Sequence, residues 1–301
     1  MANILIIFIS FTLGFVLKFV KFGRFNFAKT LNILIIYISL PSLILLKIPY
    51  LHISNDTLAP IVLPWIITFI TSIAIILIAK KYNLKKEEIG SLLLVGILGN
   101  TSFLGVPFIQ LFFGEKYVSY ALIYDQLGSF LILSTYGSIV VALYSQNSIF
   151  NLKEIIKKII LFPPFLSLLI AFIIKGIEYN SIIIFLLQNL SKTLVPFALL
   201  SVGFQLHLKV PKDERKPLFI AILMKTVFAP LIALIICLIF TDMNNIVKVS
   251  ILEAGMGPMI TAGIMANIAN LSPRLTNAIV GYGILFSFMT LPVFYLLVSN
   301  L

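Results

Sequence analysis

Long apolar runs constrain this chain before anything else does. A helix needs about 20 apolar residues to cross the hydrocarbon of a bilayer. Ten such stretches can be drawn, at about 2–20, 27–46, 58–80, 89–113, 118–145, 155–176, 183–206, 217–240, 246–270 and 276–298. The connections between them are short, and no soluble domain fits there. Hydrophobic residues make up 60% of the 301 and charged residues 11%, with a mean hydropathy of +1.11; soluble domains carry about 25% charged residues. A β-barrel would need shorter, alternating strands, and the pattern has none. The expected class is an all-α polytopic membrane protein. "MANILIIFISFTLGF" lacks the basic start and small-residue cleavage site of a signal peptide, so it is read as the first membrane helix.

The net charge of +11 speaks for topology through its placement. Of the 22 Lys and Arg, 16 lie with the connections after odd-numbered stretches, five with the even ones, and Lys225 lies inside a stretch. Lys and Arg gather on the cytoplasmic side, so both termini are expected outside. The basic clusters suit anionic headgroups of the lipid bilayer, and no nucleic-acid partner is expected. Cys237 is the single cysteine, and His52 and His207 stand apart, so no metal-ligand set forms. HExxH and P-loop patterns are absent. The chain is not expected to be an enzyme, and it calls for no cofactor beyond a proton or Na+ as coupling ion.

"YSQNSIFNLKEIIKK" divides the chain into residues 1–146 and 147–301, with five stretches each. The halves echo one another: Pro41 in the second stretch answers Pro196 in the seventh, and Pro107 in the fourth answers Pro258 in the ninth. Five is odd, so equivalent stretches cross in opposite directions, the inverted repeat common among secondary transporters. "LGNTSFLGVPF" brings Asn100, Thr101, Ser102, Gly105 and Pro107 into an apolar run, and "EAGMGPMITAGIMA" brings Gly255, Gly257 and Pro258. Proline removes a backbone donor and crowds the preceding turn, and glycine weakens the helix further. Freed backbone groups at that depth need protein or a polar cavity to satisfy them. Half-helix N-termini would then face a bound anion. These residues, with Lys225, are the substrate-binding candidates.

Asp125 with Gln126 beside it, Glu253 and Lys225 lie well inside apolar stretches. A charge at the bilayer centre costs about 2.5–3.5 kcal/mol on insertion scales, so each needs a reason. Asp125, Gln126 and Glu253 are read as the ion- or proton-coupling set, and Lys225 as a partner for a carboxylate or an anionic substrate. Tyr124 and Tyr136 are read as interfacial belt aromatics, and Asn267 and Asn270 as a helix end. Gly128–Gly137 and Gly281–Gly283 are read as places of close helix approach.

With "GNTSFLGVPFIQLFFG", "ALIYDQLGSF", "MKTVFAPLIAL", "EAGMGPMITAGIMA" and "NAIVGYGILFSFMTLPVFYLL" in view, the chain resembles the auxin efflux carrier family in its bacterial form, often described as malate or malonate permeases. The likeness spans nearly the whole chain. It implies ten helices in two inverted repeats, with proline-broken, crossing helices 4 and 9. It also implies a mobile domain of helices 3–5 and 8–10 moving, elevator-like, against a scaffold of helices 1, 2, 6 and 7. Small organic anions are the implied substrates. Asn100 and Pro107 match the first crossing, Pro258 the second, and Asp125 and Lys225 polar positions in flanking helices. There are departures. The long cytoplasmic loop of plant members is about ten residues here, and no Asn in the second crossing matches Asn100, so auxin itself is not implied. The leading expectation is a proton-coupled secondary transporter of a small carboxylate. A sodium-coupled symporter with the bile-acid-symporter type of fold and a non-transporting ligand receptor are the alternatives. The protein assembly compatible with this reading is a homodimer. Scarce Trp with abundant Ile, Lys, Asn and Phe suggests an AT-rich bacterial genome, hence a bacterial inner membrane.

Overall fold

The computed structural model describes residues 2–20, 27–145, 151–206, 208, 210 and 212–301; His207 lies outside them. Among the described residues the fold is all-helical. We label the helices α1 (Ala2–Leu17), α2 (Phe27–Tyr50), α3 (Asn55–Lys81), α4 (Lys86–Val95), α5 (Thr101–Phe112), α6 (Glu115–Tyr144), α7 (Leu152–Ile160), α8 (Pro163–Ile173), α9 (Ser181–Phe204), α10 (Arg215–Phe240), α11 (Asn245–Ala254), α12 (Ile260–Ile268) and α13 (Pro273–Ser299). Each of the ten expected stretches carries helix. Among the described residues six helices, α2, α3, α6, α9, α10 and α13, are long and apolar enough to cross a membrane. The bent pair α7–α8 would make a seventh.

The helix ends follow from local chemistry. Asn151, Asn180 and Asn244 each accept hydrogen bonds from backbone N–H groups of the first turn they precede, at α7, α9 and α11. These satisfy donors that have no partner inside the helix. The sixth stretch was expected as one span over 155–176; instead it bends by 60° between α7 and α8. Pro163 and Pro164 cause the break, because proline starts a helix readily and continues one badly. Among the described residues four segments are π-helical: Ile35–Ser39, Thr101–Gly105, Tyr124–Phe130 and Met224–Phe228. Three of them end two residues before a proline, at Pro41, Pro107 and Pro230. A wider turn accommodates the missing N–H and the ring that would crowd the preceding carbonyl.

Two groups of helices emerge from the packing. α1, α2, α8 and α9 lie mostly against one another, while α3 to α6 and α10 to α13 form a second set. In the first group α1 and α9 meet backbone to backbone. A Cβ on Gly14 would overlap the Leu200 carbonyl, and one on Gly203 would overlap the carbonyl of Phe11. Small residues permit this approach, which apolar tails of lipid do not otherwise favour. The Ser39 and Thr193 hydroxyls, 2.6 Å apart, and the Tyr179 hydroxyl, donating to the Leu45 carbonyl at 3.0 Å, tie α2 to its neighbours. In the second group Gly128 packs on Pro64 and Gly283 on Pro258, two of the close approaches read from the sequence, while Gly137 has only ordinary contacts. Tyr136 is part-buried, its hydroxyl accepting from Ser72 at 2.9 Å. Asn270 follows α12 with φ 55, the left-handed turn of a helix end.

Gly203→Leu would force α1 and α9 apart. It is expected to destabilise the protein by about 1–3 kcal/mol, the range for overpacking, and to lower the thermal unfolding midpoint in detergent. An unchanged midpoint would rule out the close-contact account.

Candidate functional site

Two helices break at one place and repair each other. α4 stops at Gly96 and α11 at Gly255, and the chain then runs extended into α5 and α12. Gly99 and Pro258 pair as a single antiparallel bridge. The Asn100 N–H donates to the Gly257 carbonyl at 2.7 Å, and the Met259 N–H donates to the Leu98 carbonyl at 2.9 Å. Backbone groups freed by the breaks thus find partners across the crossing, as an apolar environment demands. Asn100 also caps α5, its Oδ1 accepting from the Phe103 N–H at 3.2 Å. The corresponding capping position before α12 is Met259, which makes no side-chain cap, so the asymmetry expected from the sequence is present.

The first break lies at Gly96–Asn100 and ends seven residues before Pro107, which was expected to interrupt the helix. Pro107 sits on α5 beyond the π-helical turn that absorbs it, while Pro258 stands in the second break opposite Gly99. The two prolines are therefore not equivalent. Where the sequence set Pro107 in the place equivalent to Pro258, the residue opposite Pro258 at the crossing is Gly99.

Around this crossing the fold buries three ionisable side chains. Asp125 is held on both sides: its Oδ1 accepts from the Thr101 hydroxyl at 2.5 Å and its Oδ2 from the Gln126 amide at 2.6 Å. Lys225 donates to the Ala254 carbonyl at 2.6 Å, at the C-terminal end of α11, where the helix dipole favours a cation. Glu253 is fully buried, and neither carboxylate oxygen has a hydrogen-bond partner. A Cβ on Gly105 would overlap both of those oxygens, so only glycine leaves room there. The carboxylate thus lies against Gly105, the last residue of the π-helical turn that opens α5. Glu253 and Lys225 line one cavity of about 20 Å³ together with Thr101 and Tyr124, yet they form no ion pair. The Asn100 Nδ2 and the Gln126 Oε1 are likewise buried without partners. Buried polar groups are normally satisfied, so this concentration of open valences marks a polar centre rather than a packed core. Three of the four π-helical segments, those at Thr101, Asp125 and Lys225, converge here, and such bulges gather at functional sites.

The structure brings Asn100, Thr101, Gly105, Asp125, Gln126, Lys225, Glu253, Gly257 and Pro258 to this crossing. Ser102 is half-buried at the start of α5. Gly255 instead packs beside Pro230. Tyr124, expected at the membrane interface, is buried and part of the small cavity; its position directly before Asp125 was the available signal. Among the described residues no three His, Cys, Asp or Glu gather closely enough to hold a metal ion, and Cys237 is buried and free.

A second and much larger cavity, about 590 Å³, opens between the two helix groups. α1, α2 and α9 line it on one side, and Val106, Pro107 and Gln110 of α5 with Glu115 of α6 on the other. Nothing in the sequence spacing singled out its polar residues, which come from separate helices.

A family model described as "Membrane transport protein" matches residues 1–295. The chain belongs to that family, which includes the auxin efflux carriers. It is 34% identical over 220 residues to an uncharacterized transporter of Methanocaldococcus jannaschii, covering 69% of this chain and 70% of that protein. It is 25% identical over 295 residues to an uncharacterized transporter of Methanothermobacter thermautotrophicus, covering 96% and 95%. The chain is accordingly a multi-pass membrane transporter rather than an enzyme.

Thr101→Val removes one donor from the buried Asp125 carboxylate. It is expected to destabilise by about 1.5–3 kcal/mol, as for a hydrogen bond to a charged group, whereas Thr101→Ser stays near the parent. Thermal unfolding of the two variants in detergent checks this, and equal midpoints would refute it.

Proposed function

We propose that the protein is a secondary transporter of a small organic anion, a carboxylate such as malate or malonate, coupled to protons and working by alternating access in the cell membrane. The observation that carries this reading is the set of unpartnered, buried polar groups at the crossing: Glu253, the Asn100 amide and the Gln126 carbonyl. A core built for stability alone does not retain them, because each unsatisfied group costs about 1–3 kcal/mol. An unpaired buried carboxylate is relieved by taking up a proton or a cation, and Glu253 is the coupling residue in this reading, with Asp125 and Gln126 beside it. Asn100, Thr101 and Ser102, the N-terminal ends of α5 and α12, and Lys225 supply the favourable surroundings for negative charge.

The reading includes the ten-span topology of two inverted halves, residues 1–146 and 147–301, with both termini outside. α4–α5 and α11–α12 each count as one broken span. α1, α2, α8 and α9 would serve as the scaffold, and the second group would move against it. The separation of the two packing groups and the large cavity between them support that division. The protein needs no bound cofactor in this scheme.

Uptake of labelled malonate and malate into proteoliposomes tests the proposal, with an imposed pH gradient, a sodium gradient and neither. Flux is expected to follow the pH gradient and to fall at least about tenfold, or 1.4 kcal/mol of barrier, in Glu253→Gln. Sodium-driven flux would move the coupling to the symporter alternative. Saturable binding without flux would make the protein a receptor.

A further inference from the structure

The large cavity already holds a carboxylate, and it belongs to the protein. Glu115, at the start of α6, has each oxygen engaged: Oε2 by the Lys47 ammonium at 2.7 Å and Oε1 by the Gln110 amide. Lys47 is on α2 and Gln110 on α5, so this arrangement spans the two helix groups. The pair is cheap to open. The Glu115 side chain is 58% exposed and that of Lys47 25%, and ion pairs exposed to this degree contribute about 0–1 kcal/mol. A second cation, Lys192 of α9, lines the same cavity with Gln188 and Ser191, and it has no ion-pair partner among the described residues. Residues 188, 191 and 192 share one face of α9 by their spacing. At about 590 Å³ the cavity falls in the range of small-molecule sites, whereas the crossing offers about 20 Å³.

The geometry points to Lys47, Gln110 and Lys192 as the entry site for a small dicarboxylate, with Glu115 holding the anion's place as a tethered substitute. One carboxylate of the ligand displaces Glu115 from Lys47 and Gln110, and the other meets Lys192. No bond is made or broken; one anion replaces another. Displacement also opens the ion pair between α2 and α6, so arrival of the ligand releases one helix group from the other. This inference rests on the carboxylate-transport reading and assigns it a specific loading site.

The test uses the full chain in nanodiscs with malonate and acetate as probes, by titration calorimetry. Glu115→Gln removes the substitute and is expected to tighten malonate about tenfold. Lys47→Gln is expected to weaken malonate and acetate alike by a similar factor. Lys192→Gln is expected to weaken malonate towards the affinity of acetate and to leave acetate unchanged. Lys248→Gln, which removes the same charge outside this cavity, is expected to change neither. Thermal midpoints of all four variants should stay near the parent, since the pair contributes little stability. If the parent binds and carries malonate while Glu115→Gln and Lys47→Gln leave its affinity unchanged, the entry site is wrong and the transport reading stands. If Lys248→Gln weakens binding as much as Lys47→Gln, overall charge is responsible and the site is again wrong. If neither the parent nor Glu115→Gln binds or carries either acid, both readings fall.

Discussion

Everything at the centre of this protein depends on two backbone hydrogen bonds, Asn100 to Gly257 and Met259 to Leu98. A helix interrupted in an apolar setting leaves N–H and C=O groups that no lipid can satisfy. Two helices interrupted at the same place solve the problem jointly, by pairing as a minimal piece of antiparallel sheet. Once that pairing exists, four helix ends meet at one point, each with a partial charge. The ionisable residues then have reasons to be where they are. Lys225 sits on the carbonyl end of α11, and Glu253 lies against Gly105 in the widened opening turn of α5. The charges follow the backbone rather than each other, which is why Lys225 and Glu253 share a cavity without forming an ion pair.

Much of this was legible in the sequence because its causes are local. Apolar runs of bilayer length marked the helices, and the polar letters inside them, Asp125, Lys225 and Glu253, marked the centre. What escaped was set by tertiary fit. The helix containing Pro107 breaks at Gly96–Asn100, since a π-helical turn can absorb a proline, while Gly99 pairs with Pro258 across the crossing. Tyr124 has the composition of an interfacial residue and the location of a core one; only the packing of α6 against α3 and α11 distinguishes them. The bend between α7 and α8 was written in Pro163 and Pro164, yet the apolar run continued through it. The cavity of Lys47, Gln110, Glu115 and Lys192 draws on four helices and has no linear signature at all.

The recurrence of a π-helical turn two residues before Pro41, Pro107 and Pro230 joins local and global structure. Pro107 lines the cavity between the helix groups and Pro230 packs beside Gly255, and a widened turn of this kind changes the direction of the side chains it carries. Thr101 and Lys225 owe their orientation to such turns. The Tyr124–Phe130 segment widens without a proline, and there Asp125 is fixed by Thr101 and Gln126 instead.

The cavity at the crossing is about 20 Å³, and a single water molecule needs roughly 10–15 Å³. A space that admits one water is no conduit. Whatever traverses this centre must wait for helices to rearrange, and such collective motions take microseconds to milliseconds. Under the transport reading proposed above, this centre would act as a turnstile: throughput would be set by how often the helices move rather than by the width of an open path.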